Sequence, residues 1–157
     1  MTPRRRLSLL LLAGALLAPG CGNNNVTIPD VTRAVIDISV SPNPAVGTQN
    51  PLTGGVTAPY QITITETNGL GGDVTFVSAA VYDPVSGKQV ALNYSDGADL
   101  VVYVGSKHLD PLGTLVVPQT ANYVLADFSK AAQLSVSVQL VDDRKNLVMT
   151  SVLVKIE

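Results

Sequence analysis

Apolar and polar residues alternate with a period of two through much of this chain beyond residue 34, and this alternation constrains the fold most. Successive side chains of a β-strand point to opposite faces, so strict alternation is typical of a strand with one buried face. We therefore predict antiparallel strands that each bury one face and expose the other. The clearest apolar series are Ile36, Ile38 and Val40; Tyr60, Ile62 and Ile64; and Leu134, Val136, Val138 and Leu140.

Turn-forming residues divide the chain into further strands. Residues 83–88 contain a proline and a glycine, which favour a turn between strands at 74–82 and 89–92. Near the end of the chain, residues 142–146 connect the third alternating series to a last strand at 147–156. Both patterns predict β-hairpins.

Four other segments are less regular. The short apolar run at residues 100–104 predicts a strand, and residues 114–117 can add another. Residues 122–133 can hold a helical turn or two, with Asp127 as its cap. Residues 41–58 are rich in proline and glycine and too long for a tight turn, so we expect a crossing between sheets or a functional loop.

About seven or eight short strands with turns between them predict an all-β, antiparallel sandwich rather than a barrel. The closing stretch, residues 134–147, resembles the last hairpin of immunoglobulin-like and fibronectin-type-III-like domains in bacterial envelope proteins. This resemblance implies an immunoglobulin-like β-sandwich. The chain has no tryptophan and no cysteine beyond residue 21, so the Cys and Trp core of antibody-type domains is absent.

The N-terminus has the order of a secretory signal. Three arginines at residues 4–6 precede an apolar run at 7–17, and small residues at 18–20 precede Cys21. The apolar run is about half of the roughly 20 residues that a membrane-spanning helix needs. We therefore predict that this segment is cleaved off.

A cysteine directly after small residues resembles the lipobox of bacterial lipoproteins, whose cysteine is acylated and becomes the new N-terminus. The resemblance implies that Cys21 carries the lipid, and that Gly22 after it directs the protein to the outer membrane. Leu17 stands four places before Cys21, whereas such boxes usually carry leucine three places before it. Cys21 is the single cysteine, so no disulfide can hold the fold.

These patterns divide the chain into three segments. Residues 1–20 are the predicted signal peptide, residues 21–33 are the lipidated cysteine and a flexible tether, and residues 34–157 are the β-sandwich domain. The length of the third segment suits a single domain with its own core.

The charge of the chain argues against nucleic acid as a partner. Beyond residue 20 there are seven Lys and Arg against twelve Asp and Glu, which gives a net charge of about −5. A domain that binds phosphate backbones through electrostatics usually carries a basic stripe or cluster, and none is present.

Candidate catalytic residues are few. His108 is the only histidine, so a Ser-His-Asp arrangement has to use it, with Asp110 as its nearest acid in sequence. The chain contains no Gly-x-Ser-x-Gly nucleophile motif, and a solvated loop histidine is the simpler interpretation. One histidine and an acylated cysteine also cannot supply the usual zinc ligands. We expect no enzyme activity and no cofactor.

Calcium is harder to exclude, because it accepts carboxylates and carbonyls from loops. Asp96 and Asp99 are weak calcium candidates, and Asp142 and Asp143 also fall in predicted loops. None matches the spaced acids of a known calcium-binding loop, so solvated turn aspartates are the simpler interpretation.

The sequence therefore favours a non-catalytic interaction or structural module of the cell envelope, tethered to the membrane through the lipid on Cys21. An unidentified envelope protein is its expected partner. The alternative is an exported domain that binds calcium or a small ligand through the 96–99 and 41–58 loops. A hydrolase is the least favoured of the three hypotheses.

Overall fold

The computed structural model describes residues 30–127 and 129–157, which form two antiparallel β-sheets packed face to face. One short helix, α1, lies between the fifth and sixth strands. The elements in chain order are β1 (Ile36–Ser41), β2 (Thr48–Gln49), β3 (Gly55–Glu66), β4 (Gly72–Tyr82), β5 (Gln89–Asp96), α1 (Gly97–Val104), β6 (His108–Leu109), β7 (Thr114–Val124), β8 (Ala132–Asp142) and β9 (Leu147–Ile156).

Strand β3 is central in the first sheet, with β1 and β2 on one edge and β7 on the other. The second sheet has the order β5-β4-β8-β9. Strand β6 pairs with the first residues of β4, on the same side as β5. This is an immunoglobulin-like β-sandwich, so the predicted fold class is confirmed. The described residues contain nine strands rather than the predicted seven or eight. Two of the nine, β2 and β6, have only two residues each, which is too short to leave an alternating pattern in the sequence.

The core lies between the sheets and contains the predicted alternating series. Ile62, Ile64, Leu134, Val136 and Leu140 are fully buried. Burial of an aliphatic side chain of this size contributes about 1.5–3 kcal/mol, so the two inner faces supply most of the stabilisation. Both predicted hairpins are present as β4–β5 and β8–β9, and the strand expected from residue 114 runs through to Val124 as β7.

The strand predicted at residues 100–104 is wrong, because this segment belongs to helix α1. Asp96 caps its first turn through a reciprocal capping box with Asp99, and Gly105 ends it in the left-handed conformation. Both are sequence signals of helix ends, and an aspartate cap with a closing glycine outweighs the β-propensity of the three valines.

The helical turn predicted at residues 122–133 is also wrong where the structure describes it. Strand β7 continues to Val124 and β8 begins at Ala132. The Asp127 carboxylate accepts hydrogen bonds from the Ser129 backbone N–H at 2.9 Å and hydroxyl at 2.6 Å, which stabilises a turn instead of capping a helix.

Residues 41–58 make the predicted crossing between sheets. The chain leaves β1 in the first sheet, and Ala45 then forms a parallel bridge to Ile156 of β9 in the second. It returns to the first sheet as β2, which pairs with β3. The last residues of this segment, from Gly55, already belong to β3.

The chain enters the sandwich through residues 30–35, here called the N-terminal junction, and the described part of the predicted tether is bonded to the domain. Asn146 donates to the Thr32 carbonyl at 3.0 Å, and the Ala34 N–H donates to Asp142 at 3.2 Å. The N–H of Val35 donates to the Glu66 carboxylate at 3.3 Å. These bonds fix the junction to the end of the sandwich that carries the β8–β9 turn.

Candidate functional site

An open groove of about 870 Å³ lies beside the free edges of β5 and β7, along the side of the sandwich. Among the residues that the structure describes, none that lines this groove is charged. Three of the five tyrosines of the chain, Tyr60, Tyr94 and Tyr103, contribute to it. We call this surface the tyrosine groove. An uncharged lining with several aromatic rings suits a ligand that is itself uncharged.

Tyr94 and Tyr103 form the exposed wall of the tyrosine groove, with 66% and 69% of their surface accessible to solvent. Tyr94 is on the outer face of β5, where its ring stacks on Phe76 of β4 with centroids 6.2 Å apart. This stacking holds the Tyr94 ring in a defined orientation. Tyrosine is enriched at binding surfaces, and two exposed rings on one groove are a candidate contact surface.

Helix α1 places Tyr103 over the groove. Its Leu100 is fully buried and anchors the helix to the core. The Asp96 carboxylate accepts from the N–H groups of Ala98 at 2.8 Å and Asp99 at 3.0 Å, and the Asp99 carboxylate accepts from the Asp96 N–H at 3.1 Å. The two weak calcium candidates therefore also have a structural role, which is to begin this helix.

The calcium hypothesis stays a prediction. Among residues 30–127 and 129–157, no group of three or more His, Cys, Asp or Glu side chains is placed to hold a metal ion. Asp142, expected in a solvated turn, is instead fully buried at the end of β8, so that expectation is wrong. Asp143 is exposed as predicted.

Replacement of Asp96 by alanine should lower the free energy of unfolding by about 0.5–2 kcal/mol, because the first turn of α1 loses its cap. Asp96→Asn is the matched control, since asparagine caps helices about as well as aspartate. Urea denaturation of both variants measures the difference. Equal losses in the two variants would show that the carboxylate charge matters here and the cap does not.

Two side chains bridge the space between the free edges of β5 and β7. Asn93 donates to the Thr120 carbonyl at 2.6 Å, and Gln119 donates to the Ser95 hydroxyl at 3.1 Å. Pro118, two residues before Thr120, has no N–H to offer on the same edge of β7. One acceptor of this edge is therefore already used, and one donor is missing.

Tyr60 lies beneath the groove and is almost fully buried on the inner face of β3. Burial raises the pKa of Tyr60 to about 12, so its hydroxyl stays neutral. This hydroxyl has no hydrogen-bond partner among the described residues. The hydroxyl oxygen is itself buried from solvent, so it adds no hydrogen-bonding group to the open surface of the groove.

His108 belongs to a separate cluster that does not line the groove. Its Nδ1 lies 2.9 Å from Asp73 Oδ1, and Lys107 Nζ lies 3.2 Å from Asp73 Oδ2. Asp110, its predicted partner, is farther away, at 3.8 Å from Nε2. Ser106, the nearest hydroxyl in sequence, bonds to the backbone of His108 instead of the ring. His108 is therefore part of an ion-pair cluster, and among the described residues no hydroxyl is hydrogen-bonded to its imidazole ring.

The hydrogen bond that the His108 ring donates to the Asp73 carboxylate raises the pKa of His108 above its ordinary 6.5. Partial burial lowers this pKa, but the hydrogen bond and the charges of Asp143, Asp73 and Asp110 together outweigh it. The stabilisation that the charged ring contributes is complete below pH 6.5. It is lost as the pH rises through the raised pKa of the folded state. Because the side chain is 43% exposed, solvent screening keeps the contribution under about 1 kcal/mol.

The pKa of His108 can be measured without ambiguity by NMR, because the chain has a single histidine. We expect a value above 6.5 that falls toward 6.5 in Asp73→Asn. Asp110→Asn is the control and should lower the pKa less, since Asp110 does not hydrogen-bond the ring. A wild-type pKa at or below 6.5 would contradict the assigned ion pair.

The predicted lipidation site, Cys21, and the predicted cleavage site before it lie outside the described residues. Within the described part of the chain, no helix has the length and apolarity needed to cross a membrane. The anchor therefore stays a prediction from the sequence.

Comparisons with known proteins support the fold. No protein-family model matches the sequence, and no curated protein matches it. The chain is similar in structure to the ApaA protein from Bordetella pertussis, with a TM-score of 0.57 and 13% identity over 80% of this chain and 97% of that one. A structural genomics target, SoR45, has a TM-score of 0.53 and 10% identity over 77% and 84% of the two chains. At these identities the similarity establishes the sandwich fold alone.

Proposed function

We propose that this protein is a non-catalytic lipoprotein of the bacterial cell envelope whose sandwich binds a partner molecule in the tyrosine groove. The observation that carries the proposal is the pair of exposed rings, Tyr94 and Tyr103, on an uncharged surface beside two strand edges. Tyrosine supplies a large contact area at low conformational cost and is enriched in binding surfaces. The partner is expected in the envelope, where the anchor would hold the domain.

The lipid anchor in this proposal is supported by the basic, apolar and small-residue order that ends at Cys21. The outer membrane is the proposed location because Gly22 follows the cysteine. The N-terminal junction is fixed to one end of the sandwich, so that end would face the lipid surface. The tyrosine groove lies along the side and would stay open to a partner.

The binding part of the proposal is tested with protein that starts at residue 22, incubated with envelope material from cells of the source organism. Wild type should co-sediment with this material, and the double variant Tyr94→Ser/Tyr103→Ser should lose at least about 90% of the bound fraction. Leu153→Ser is the matched control, because Leu153 is equally exposed but lies on β9, three strands from β5. Equal binding by all three proteins would contradict the proposed site.

The anchor is tested in the same cells with an alkyne analogue of palmitate. The wild-type protein should carry the label and fractionate with the outer membrane, whereas Cys21→Ala should carry none and lose its stable membrane attachment. A labelled Cys21→Ala protein, or an unlabelled wild type in the soluble fraction, would contradict the lipidation of Cys21.

A further inference from the structure

We infer that the ligand of the tyrosine groove is an uncharged oligosaccharide; this rests on the proposed function and names the chemical class that the groove recognises. The groove differs in charge from the rest of the domain. The domain carries a net charge of about −5, yet none of the described residues that line the groove of about 870 Å³ is charged. An ionic ligand would find no partner for its charge there, and its desolvation would go uncompensated.

The strand edges beside the groove are poorly suited to strand addition. A peptide that binds by strand addition needs free backbone groups and a spacing of about 4.7–4.9 Å from each strand it joins. On the groove side of β7, Pro118 lacks an N–H and the Thr120 carbonyl already accepts from Asn93 at 2.6 Å. The Asn93 and Gln119 bridges also occupy the space between β5 and β7. A strand added along this part of β7 would lack one donor and would compete with Asn93 for one acceptor, which favours recognition through side chains.

Two side chains of the groove have amide oxygens that are available as hydrogen-bond acceptors. Asn93 and Gln119 use their N–H groups in the bridges, while among the described residues their side-chain oxygens accept no hydrogen bond. A proline-rich peptide offers mainly carbonyl acceptors, which do not match these acceptors. Sugar hydroxyl groups can donate to them and also accept from the remaining N–H groups.

The tyrosine rings of the groove also fit a sugar ligand. The rings of Tyr94 and Tyr103 offer flat apolar faces to the C–H faces of a sugar ring, and the Phe76 stack keeps the Tyr94 ring in place. Stacking faces, neutral acceptors and the absence of charge together select a polyhydroxylated, uncharged ligand.

The test uses the full chain in a detergent without sugar headgroups, bound to envelope material that was treated beforehand with periodate, with proteinase K or with buffer. Periodate cleaves the vicinal diols of sugars. We expect binding to fall at least about tenfold after periodate treatment. Tyr103→Ser should lower binding to untreated material by a similar factor, while Leu153→Ser should bind like wild type. Tyr103→Phe, which keeps the ring, should bind more tightly than Tyr103→Ser.

A second arm separates neutral from acidic glycans. Polysaccharides released from proteinase-treated envelopes are divided on an anion exchanger, and the neutral flow-through should compete for the groove. Binding that resists periodate, or competition by the acidic fraction alone, would overturn the inference. Loss of groove-dependent binding after proteinase K with full resistance to periodate would leave the proposed function standing with a protein partner. Absence of groove-dependent binding to untreated material would refute both.

Discussion

Replacement of Glu66 by alanine is expected to lower the free energy of unfolding by about 3–5 kcal/mol, among the largest effects of a single substitution in this protein. The buried carboxylate accepts four backbone N–H groups. Its two oxygens bond to Val35 at 3.3 Å, Asn68 at 2.9 Å, Gly69 at 2.7 Å and Leu112 at 2.9 Å. Loss of the carboxylate leaves these donors without a partner at the end of the sandwich.

Urea denaturation of protein that starts at residue 22 measures this effect. Glu66→Gln should lose about half as much, because its amide nitrogen replaces one of the two accepting oxygens. Asp37→Ala, at an exposed position on β1, is the control and should stay within about 0.5 kcal/mol of wild type. A Glu66→Ala protein as stable as Asp37→Ala would contradict the role assigned to this carboxylate.

Because of the same carboxylate, we expect the free energy of unfolding to fall at acidic pH. Burial by itself would raise the pKa of Glu66, but the four backbone donors outweigh it and hold the pKa below its ordinary 4.5. Because the folded pKa is lowered, the stabilisation is complete above pH 4.5 and is lost as the pH falls through the folded pKa. Stability measured from pH 7 down to pH 3 should fall less steeply in Glu66→Gln than in wild type.

Replacement of Asp142 by alanine should cost about 2–4 kcal/mol, because this buried carboxylate closes the β8–β9 turn and also holds the N-terminal junction. It accepts from the Asn146 N–H at 2.8 Å, from the Asn146 side-chain amide at 3.0 Å and from the Ala34 N–H at 3.2 Å. Hydrogen exchange should therefore accelerate at both Ala34 and Asn146, which are 112 positions apart in the chain.

Asp143→Ala is the control for this prediction, since Asp143 is the exposed neighbour in the same turn. It should stay within about 0.5 kcal/mol of wild type and leave exchange at Ala34 unchanged. Faster exchange at Asn146 with an unchanged rate at Ala34 would show that Asp142 stabilises the turn but does not hold the junction.

The alternating pattern of the sequence contains a signal for both of these acids. The inward series that begins with Tyr60, Ile62 and Ile64 continues in register to Glu66, and the Leu134 series continues to Asp142. A charged residue in step with core positions is expected to be buried and bonded. Each predicted series ends at its last apolar member, so Glu66 is absent from the predicted core and Asp142 is expected in a solvated turn.

The fold was predictable because period-two alternation specifies which face of each strand is buried. Helix α1 was missed because its apolar residues have high β-propensity, although the Asp96 cap and Gly105 were visible signals. The tyrosine groove was not predictable. It depends on how β5, β7 and α1 meet in space, and a tyrosine at an outward strand position looks the same in sequence whether or not a groove forms beside it.

Photo-crosslinking in intact cells tests whether the tyrosine groove is the binding site. A benzophenone amino acid is placed at position 103 in the groove or at position 153 on β9, and both proteins are irradiated and analysed by mass. We expect a recurrent adduct from position 103 and none from position 153. No adduct from position 103, or the same adducts from both positions, would show that the partner does not bind in the groove.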